Sequence, residues 1–150
     1  MSNIKLNKIF KTACIASDHA GFKLKEDIKD SLIDNNFSVF DLGPYNDRSV
    51  DYPDYAKKLG NRIKLKKSDV GILVCGSGTG MAISANKIKD IRAAVCYNPK
   101  STRLSRQHND ANIIALGARL TKKSLSLKLV DLFLKTKFEG GRHLKRIKKI

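Results

Sequence analysis

Short apolar runs alternate with amphipathic segments along the chain. The runs are rich in β-branched residues and are bounded by polar or glycine-containing stretches, as strands usually are; they cover Thr12–Ser17, Phe37–Leu42, Val70–Cys75, Arg92–Cys96 and Asn112–Gly117. Elsewhere apolar residues recur every three or four positions, as Leu24, Ile28 and Leu32 do, which is a helical spacing. The pattern predicts helices at Phe22–Asn35, Tyr55–Lys66, Met81–Lys87, Lys100–His108 and Thr121–Lys135.

Strands separated by helices predict an α/β fold. Five such strands favour a parallel sheet with helices on both faces, a three-layer α/β/α sandwich. In such sheets ligands bind beyond the carboxyl ends of the strands. Three polar segments fall there: Ser17–Gly21, Cys75–Gly80 and the residues from Asn98 onward.

Length and composition predict one domain over residues 1–150, with residues 1–11 as a short N-terminal extension. No apolar run approaches the ~20 residues of a membrane span, and the first ten residues lack the apolar core of a signal peptide. The three cysteines form no C-x-x-C pair, which disfavours disulfides and structural zinc and is consistent with a cytoplasmic protein. Cys14 and Cys96 lie within apolar runs and are predicted to be unreactive core residues.

The chain is strongly basic, with a formal net charge of +16. Such a charge invites a nucleic-acid-binding hypothesis. The lysines, however, are spread over nearly every predicted helix, are not interleaved with aromatic residues, and no tryptophan is present. A solvated basic surface is the favoured interpretation, and it would also attract phosphorylated metabolites.

The junction at Cys75 is the strongest chemical signal. An apolar strand ends at this thiol and is followed by Gly76-Ser77-Gly78-Thr79-Gly80 and a predicted helix. Backbone N–H groups that converge on a sulfur favour its thiolate form, and the same donors can hold an anion. The loop fits neither G-x-G-x-x-G nor a Walker sequence, so dinucleotide or nucleotide binding is disfavoured. Its spacing suits a small oxyanion or a sugar hydroxyl.

Histidine and arginine residues supply further candidates. His19, His108 and His143 lack the spacing of a metal site. Arg142 and Arg146 are four residues apart, so a helix would place both guanidinium groups on one face, where they suit a phosphate. A frayed basic tail is the alternative interpretation of this segment, and the spacing alone leaves both open.

Taken together, the motifs resemble the ribose-5-phosphate isomerase B family, which includes galactose-6-phosphate isomerase subunits. They run in the family's order from about residue 12 to residue 146. The matching segments are Ser17–Gly21, Asp51–Pro53, Cys75–Gly80, Ala85–Lys87, Ser105–Asn112, Gly117–Arg119 and Glu139–His143. The resemblance implies a Rossmann-like sheet, no metal or other cofactor, and interconversion of D-ribose 5-phosphate and D-ribulose 5-phosphate through an enediolate in the non-oxidative pentose phosphate pathway.

The resemblance also implies roles for individual residues. Cys75 would be the base that moves the proton, Ser77 would orient the thiol or donate to the substrate, and Gly76, Gly78, Thr79 and Gly80 would contribute backbone donors. His108 would open the sugar ring with the help of Asp18. Phosphate would be bound by His19, Arg119, Arg142 and Arg146, and the sugar would be contacted by Tyr52 and Asn109.

Partners follow from the same resemblance. It implies a homodimer with shared active sites, possibly a tetramer, in which residues 139–150 contact the partner subunit, and it implies no nucleic-acid or membrane partner. Two alternatives stay open at this point. One is the same chemistry on a six-carbon substrate, allose 6-phosphate or galactose 6-phosphate; the other is a non-enzymatic nucleic-acid-binding module.

Overall fold

The protein is described here from a computed structural model, which covers residues 9–150. This part of the chain contains five strands: β1 Thr12–Ser17, β2 Ser38–Asp41, β3 Val70–Cys75, β4 Ala93–Val95 and β5 Ile113–Gly117. It also contains six helices: α1 Phe22–Asp34, α2 Tyr52–Lys64, α3 Thr79–Ala85, α4 Pro99–Gln107, α5 Lys123–Lys135 and α6 Arg142–Ile147. The strands form one parallel sheet in the order β2-β1-β3-β5-β4.

Helices cover both faces of the sheet. On β1, Ala13 and Ile15 pack into a core with α1 and α5, whereas Cys14 and Ala16 pack into a second core with α2 and α3. This alternation follows from the two-residue period of a strand that is buried on both sides. The predicted Rossmann-like α/β/α sandwich is therefore confirmed.

Helix boundaries differ from the sequence prediction mainly at α2. This helix begins at Tyr52, three residues earlier than predicted, because Pro53 fits the first turn, where its missing N–H is not needed. Tyr52 therefore lies in the first turn of a helix. The basic C-terminal segment, for which a frayed tail was an open alternative, forms the helix α6.

The predicted N-terminal extension lies mostly outside the described residues. Of its last residues, Phe10 packs against the core on the α1 and α5 face, and the Lys11 N–H donates to the Asp69 carboxylate at 2.8 Å. Across residues 9–150, the helices are too short or too polar to cross a bilayer.

A buried ion pair helps to fix the loop after β2 against the end of β1. Lys25 is fully buried, and its ammonium donates to both carboxylate oxygens of Asp41 and to Glu26, each at 2.8 Å. Asp41 also accepts the Gly43 N–H at 2.9 Å, and the Gly43 carbonyl accepts the Ser17 N–H at 3.0 Å. The ion pair thus holds the loop after β2 against the strand end that precedes Asp18.

This network lowers the pKa values of two carboxyl groups. Burial raises the pKa of Asp41, but hydrogen bonds from Lys25, the Gly43 amide and Lys29 outweigh burial and hold that pKa below its usual value. The pKa of Glu26 is lowered in the same way, by Lys25 and Lys29 against burial. Because the folded-state pKa values are depressed, this stabilisation is present above the ordinary carboxyl range and is lost as the pH falls through the folded-state values.

We expect Lys25→Met to lower the free energy of unfolding at neutral pH by about 3 kcal/mol, since it leaves the Asp41 carboxylate without its buried partner. The variant should also lose less stability on acidification than the parent chain, because without Lys25 the pKa values of Asp41 and Glu26 are lowered less. Urea unfolding over a pH series measures both effects. Lys29→Met is the control: Lys29 pairs with the same carboxylates but is 24% exposed, so its loss should stay below about 1 kcal/mol. Equal losses in the two variants would contradict the assignment.

Candidate active site

Cys75 ends β3 and opens onto the glycine loop, residues 76–80. Its Sγ accepts the Gly78 N–H at 3.1 Å, and the residue is 5% exposed. Gly78 has φ +81°, and a Cβ there would lie 3.0 Å from the backbone of Leu116, so the turn that aims this N–H needs glycine. The predicted contact between the thiol and the backbone of the loop is confirmed for one amide, that of Gly78.

Asp18 and His19 follow β1, beside β3. The Asp18 N–H donates to the Val74 carbonyl at 3.1 Å, and the Asp18 carboxylate accepts the Gly21 N–H at 2.9 Å. A Cβ on Gly21 would lie 2.4 Å from that same Val74 oxygen, so glycine lets α1 start directly against the strand that carries Cys75. The buried Asp18 carboxylate is thereby fixed next to the thiol strand.

The ring of His19 is oriented by the loop after β2. Its Nδ1 accepts the Val50 N–H at 3.3 Å. In the neutral ring the proton then resides on Nε2, which is left as a donor. A donor at the carboxyl edge of the sheet suits an anionic group of a ligand.

Tyr52 and Arg119 flank the glycine loop. A Cβ on Gly80 would lie 2.8 Å from the Tyr52 ring, and a Cβ on Gly76 would lie 3.4 Å from the Arg119 guanidinium. The Arg119 N–H also donates to the Gly76 carbonyl at 3.0 Å. The loop is thus lined by one aromatic face and one exposed cation.

Ser77 and Thr79 complete the loop. The Ser77 hydroxyl oxygen accepts the Thr79 N–H at 3.3 Å, and the Ser77 carbonyl accepts the Tyr97 hydroxyl at 2.7 Å. Sequence reasoning missed Tyr97, which follows the short strand β4. Its hydroxyl contact fixes the glycine loop to β4, although β5 lies between β4 and β3 in the sheet. We call the set gathered here the carboxyl-edge group: Asp18, His19, Tyr52, Cys75, residues 76–80 and Arg119.

The other two cysteines are core residues, as predicted. Cys14 and Cys96 are both fully buried. Burial raises the pKa of Cys14 to about 12 and raises that of Cys96 as well. Neither thiol ionises near neutral pH, which leaves Cys75 as the candidate base.

His108 lies at the opposite edge of the sheet. Helix α4 starts after the carboxyl end of β4 and runs back toward the amino end of that strand. The segment that follows α4 reaches this amino end, where the Asn112 N–H donates to the carbonyl of Arg92, the residue before β4. Cys75 is paired with Gly117 at the far end of β5. The five residues of β5, Ile113–Gly117, are four steps along a strand and alone span about 13 Å.

Further predicted site residues gather around His108. A pocket of about 430 Å³ is lined by His108, Asn109, His143 and Arg146, together with Ile147 and Ile150. Arg142 begins α6 immediately before His143. We call His108, Asn109, Glu139, Arg142, His143 and Arg146 the amino-edge group. Within one chain, the predicted site residues therefore form two separate groups.

His143 and Glu139 are the members that sequence reasoning did not select. The rings of His108 and His143 are stacked, with centroids 4.2 Å apart and an interplanar angle of 12°. A Glu139 carboxylate oxygen lies 3.6 Å from His143 Nε2 and 4.0 Å from His108 Nε2. Burial, His108 and Arg142 lower the pKa of His143, against the opposing effect of Glu139. The four-residue spacing of Glu139 and His143 was the available sequence signal.

The sequence and the fold also match known proteins. The model of the ribose/galactose isomerase family matches residues 13–150. The chain belongs to this family. A putative sugar phosphate isomerase of Rickettsia bellii is 48% identical over 136 residues, which cover 91% of this chain and 94% of the relative.

Solved structures give the same relationship. Ribose-5-phosphate isomerase B of Clostridium thermocellum is 47% identical with a TM-score of 0.91, over 92% of this chain and 93% of that chain. The Mycoplasma genitalium enzyme, solved with bound ribulose 5-phosphate, is 45% identical with a TM-score of 0.88, over 92% of each chain. The family resemblance seen in the sequence is confirmed, and the chain is an enzyme, an isomerase.

Pocket size alone does not locate the chemistry of this isomerase. A pocket of about 710 Å³ is lined by Phe10, Ile63, Lys64, Asp69 and Arg92 among others, at the amino edge of the sheet. It contains none of the residues of either group. The arrangement of a thiol, a buried carboxylate, an imidazole and a guanidinium at the carboxyl edge is the stronger indication of a catalytic site.

Proposed function

We propose that the protein is a ribose-5-phosphate isomerase that interconverts D-ribose 5-phosphate and D-ribulose 5-phosphate without a metal, in the non-oxidative pentose phosphate pathway. The observation that carries the proposal is the Cys75 sulfur, held by the Gly78 N–H at 3.1 Å beside the Asp18 strand end. The relative with bound ribulose 5-phosphate, 45% identical, supports the five-carbon substrate.

Cys75 is the proposed base of the isomerisation. Its thiolate removes the proton from C2 of the open-chain aldose, the electron pair forms the C1=C2 bond, and negative charge develops on O1. The thiol returns the proton to C1, while the proton of the C2 hydroxyl moves to O1, which yields the ketose. Backbone N–H groups of the glycine loop stabilise the enediolate, and one such donor is typically worth about 3 kcal/mol.

Ring opening comes before this step, because the cyclic sugar has no carbonyl to acidify the C2 proton. We assign His108 as the acid that protonates the ring oxygen as the C1–O bond breaks, and Asp18 as the acceptor of the anomeric hydroxyl proton. Asp18 is buried and rigidly placed by the Gly21 N–H, as a proton acceptor beside the thiol must be. His108 is 38% exposed on its side chain and is accessible to a ligand.

These assignments require two copies of the chain. Asp18 and Cys75 belong to the carboxyl-edge group, whereas His108, Asn109, Arg142 and Arg146 lie at the opposite edge of the same sheet. We propose a homodimer in which residues 139–150 of one subunit and the end of its α4 complete the carboxyl-edge group of the other. A larger assembly, such as a tetramer, would contain this homodimer as its repeating unit.

Phosphate binding is then shared between the subunits. We assign His19 and Arg119 from one chain and Arg142 and Arg146 from the other to the phosphate, and Tyr52 and Asn109 to the sugar. All three arginines are exposed, and α6 carries two of them four residues apart. Guanidinium groups suit a phosphate because they donate two parallel hydrogen bonds.

An assay of the purified protein tests the proposal. We expect turnover of ribose 5-phosphate to be unaffected by a chelator, and kcat/KM to be higher for ribose 5-phosphate than for allose 6-phosphate or galactose 6-phosphate. The comparison also resolves the six-carbon alternative, because a reversed preference would identify the larger sugar as the substrate. Absence of turnover on all three sugars would reject the function.

A cytoplasmic location is part of the proposal. The three cysteines are all free thiols in the structure, and two of them are fully buried. Free thiols persist where the cell keeps cysteines reduced.

A further inference from the structure

His108, Glu139 and His143 form a compact cluster of metal-ligating side chains. One ligand atom from each residue lies within 4.8 Å of the other two. The cluster is assembled by the end of α4 and the start of α6, and the Glu139 N–H donates to the Gln107 carbonyl at 3.0 Å, which fixes Glu139 to the end of α4. The fold thus brings together three side chains that are spread over 35 positions of sequence, from His108 to His143.

We propose that this cluster is an inhibitory binding site for a divalent transition-metal ion of the Zn²⁺ class. Two imidazole nitrogens and one carboxylate oxygen are the three-ligand set of open zinc sites, where a fourth position is left to water. In a tetrahedral site with bonds of about 2.0–2.2 Å, ligand atoms lie about 3.4 Å apart. The Glu139 carboxylate oxygen, 3.6 and 4.0 Å from the two Nε2 atoms, is already close to this spacing, so closing the cluster around a metal ion mainly requires the two imidazoles to change their relative orientation.

His108 is the side chain that can close the cluster. The two stacked rings are within 12° of parallel, so their in-plane nitrogen lone pairs run side by side and do not meet at one ion. The His143 side chain is only 8% exposed, whereas that of His108 is 38% exposed, so His108 turns out of the stack and brings its Nε2 toward an ion held by His143 and Glu139.

The surroundings select the kind of metal. Arg142 and Arg146 lie on the same helix as His143 and oppose any cation there. Mg²⁺ and Ca²⁺ prefer sites built from several oxygen ligands, which this cluster lacks. An ion that gains strongly from imidazole ligation can overcome the repulsion, so Zn²⁺ or Cu²⁺ is favoured over Mg²⁺.

Inhibition follows from the proposed function, whereas binding does not depend on it. A metal ion on His108 occupies the nitrogen that would protonate the ring oxygen of the sugar. The bound ion would also stand next to the arginines assigned to the phosphate. Binding and turnover are therefore measured separately, so that the failure of one is distinguishable from failure of the other.

Calorimetric titration of the purified protein with ZnCl₂, without thiols or chelators, tests the site. We expect one Zn²⁺ per chain, no response to MgCl₂, and affinity weakened about tenfold or more by Glu139→Gln, since even outer-shell changes at metal sites cost 10–100-fold. Asp131→Asn, which changes an exposed carboxylate on α5, is the matched control and should bind as the parent does. Cys75→Ala should retain the binding, because its sulfur lies at the other edge of the sheet.

Equal Zn²⁺ affinity in Glu139→Gln and the parent would overturn the site. Loss of binding in Cys75→Ala would overturn it too, because it would place the metal on the thiol. In the isomerase assay, Zn²⁺ should inhibit the parent and Asp131→Asn at concentrations that do not lower the turnover of Glu139→Gln. Binding at the cluster without inhibition would overturn the inhibitory role and would remove His108 from the reaction, while the isomerase activity itself would stand.

Discussion

Cys75→Ala is expected to lower kcat by about 10³-fold while the protein still binds ribose 5-phosphate, because a positioned proton-transfer group typically contributes 10²–10⁴-fold. The Cys75 sulfur accepts the Gly78 N–H, so the proposed base lies directly against the glycine loop. Its removal leaves intact the arginines that we assign to the phosphate, so the effect should fall on kcat and not on substrate affinity. Initial rates and calorimetric binding of the substrate separate the two quantities.

Cys96→Ala provides the matched control for this variant. Cys96 is fully buried next to α4, and burial raises its pKa, so it has no part in the proton transfer. Its replacement should leave kcat within about twofold of the parent and cost only stability, as small core truncations do. Near-normal turnover of Cys75→Ala would exclude the sulfur as the base.

The second large effect concerns a mixed dimer. Cys75→Ala and His108→Ala should each be nearly inactive as homodimers, but a heterodimer of the two should recover about half of the parent activity, because a two-fold interface creates one site with both residues intact and one with neither. The two residues lie at opposite edges of one sheet, so complementation is possible only between chains. Co-expression with two different affinity tags yields the heterodimer for assay.

A heterodimer of Cys75→Ala with Asp18→Ala supplies the control. Asp18 and Cys75 belong to the same edge group, joined through the Asp18 N–H and the Val74 carbonyl. Each of the two sites would then carry one defect, and no activity should return. Recovery in this control, or none in the Cys75/His108 pair, would contradict a site shared between subunits.

The sheet could be predicted from the sequence because its strands are short, continuous apolar runs. The run Val70–Cys75 is buried at every position, and its predicted bounds match β3. The start of α2 could not be predicted as readily, because a proline such as Pro53 occurs both in loops and in the first turn of a helix. Local sequence does not distinguish these two uses of proline.

The site was predictable only where local sequence controls it. The glycine loop follows directly from β3, and the structure places the Gly78 N–H on the Cys75 sulfur. The separation of His108 from Cys75 depends on the direction of α4, and the contact between His108 and His143 depends on the turn at Gly140 and Gly141, both with positive φ. Three-dimensional contacts of this kind have no periodic signature in a sequence.

The burial of Cys14 and Cys96 has a practical consequence. Two sulfurs are fully buried, whereas Cys75 is 5% exposed and lies at the start of a polar loop, so we expect a small electrophile to react with Cys75 before the other two cysteines of the folded chain. The native sequence therefore carries its own attachment point for a covalent reporter, with no cysteine to engineer in or out. A folded chain should then take up one alkyl group and an unfolded chain three, so the stoichiometry of alkylation reports the folded fraction.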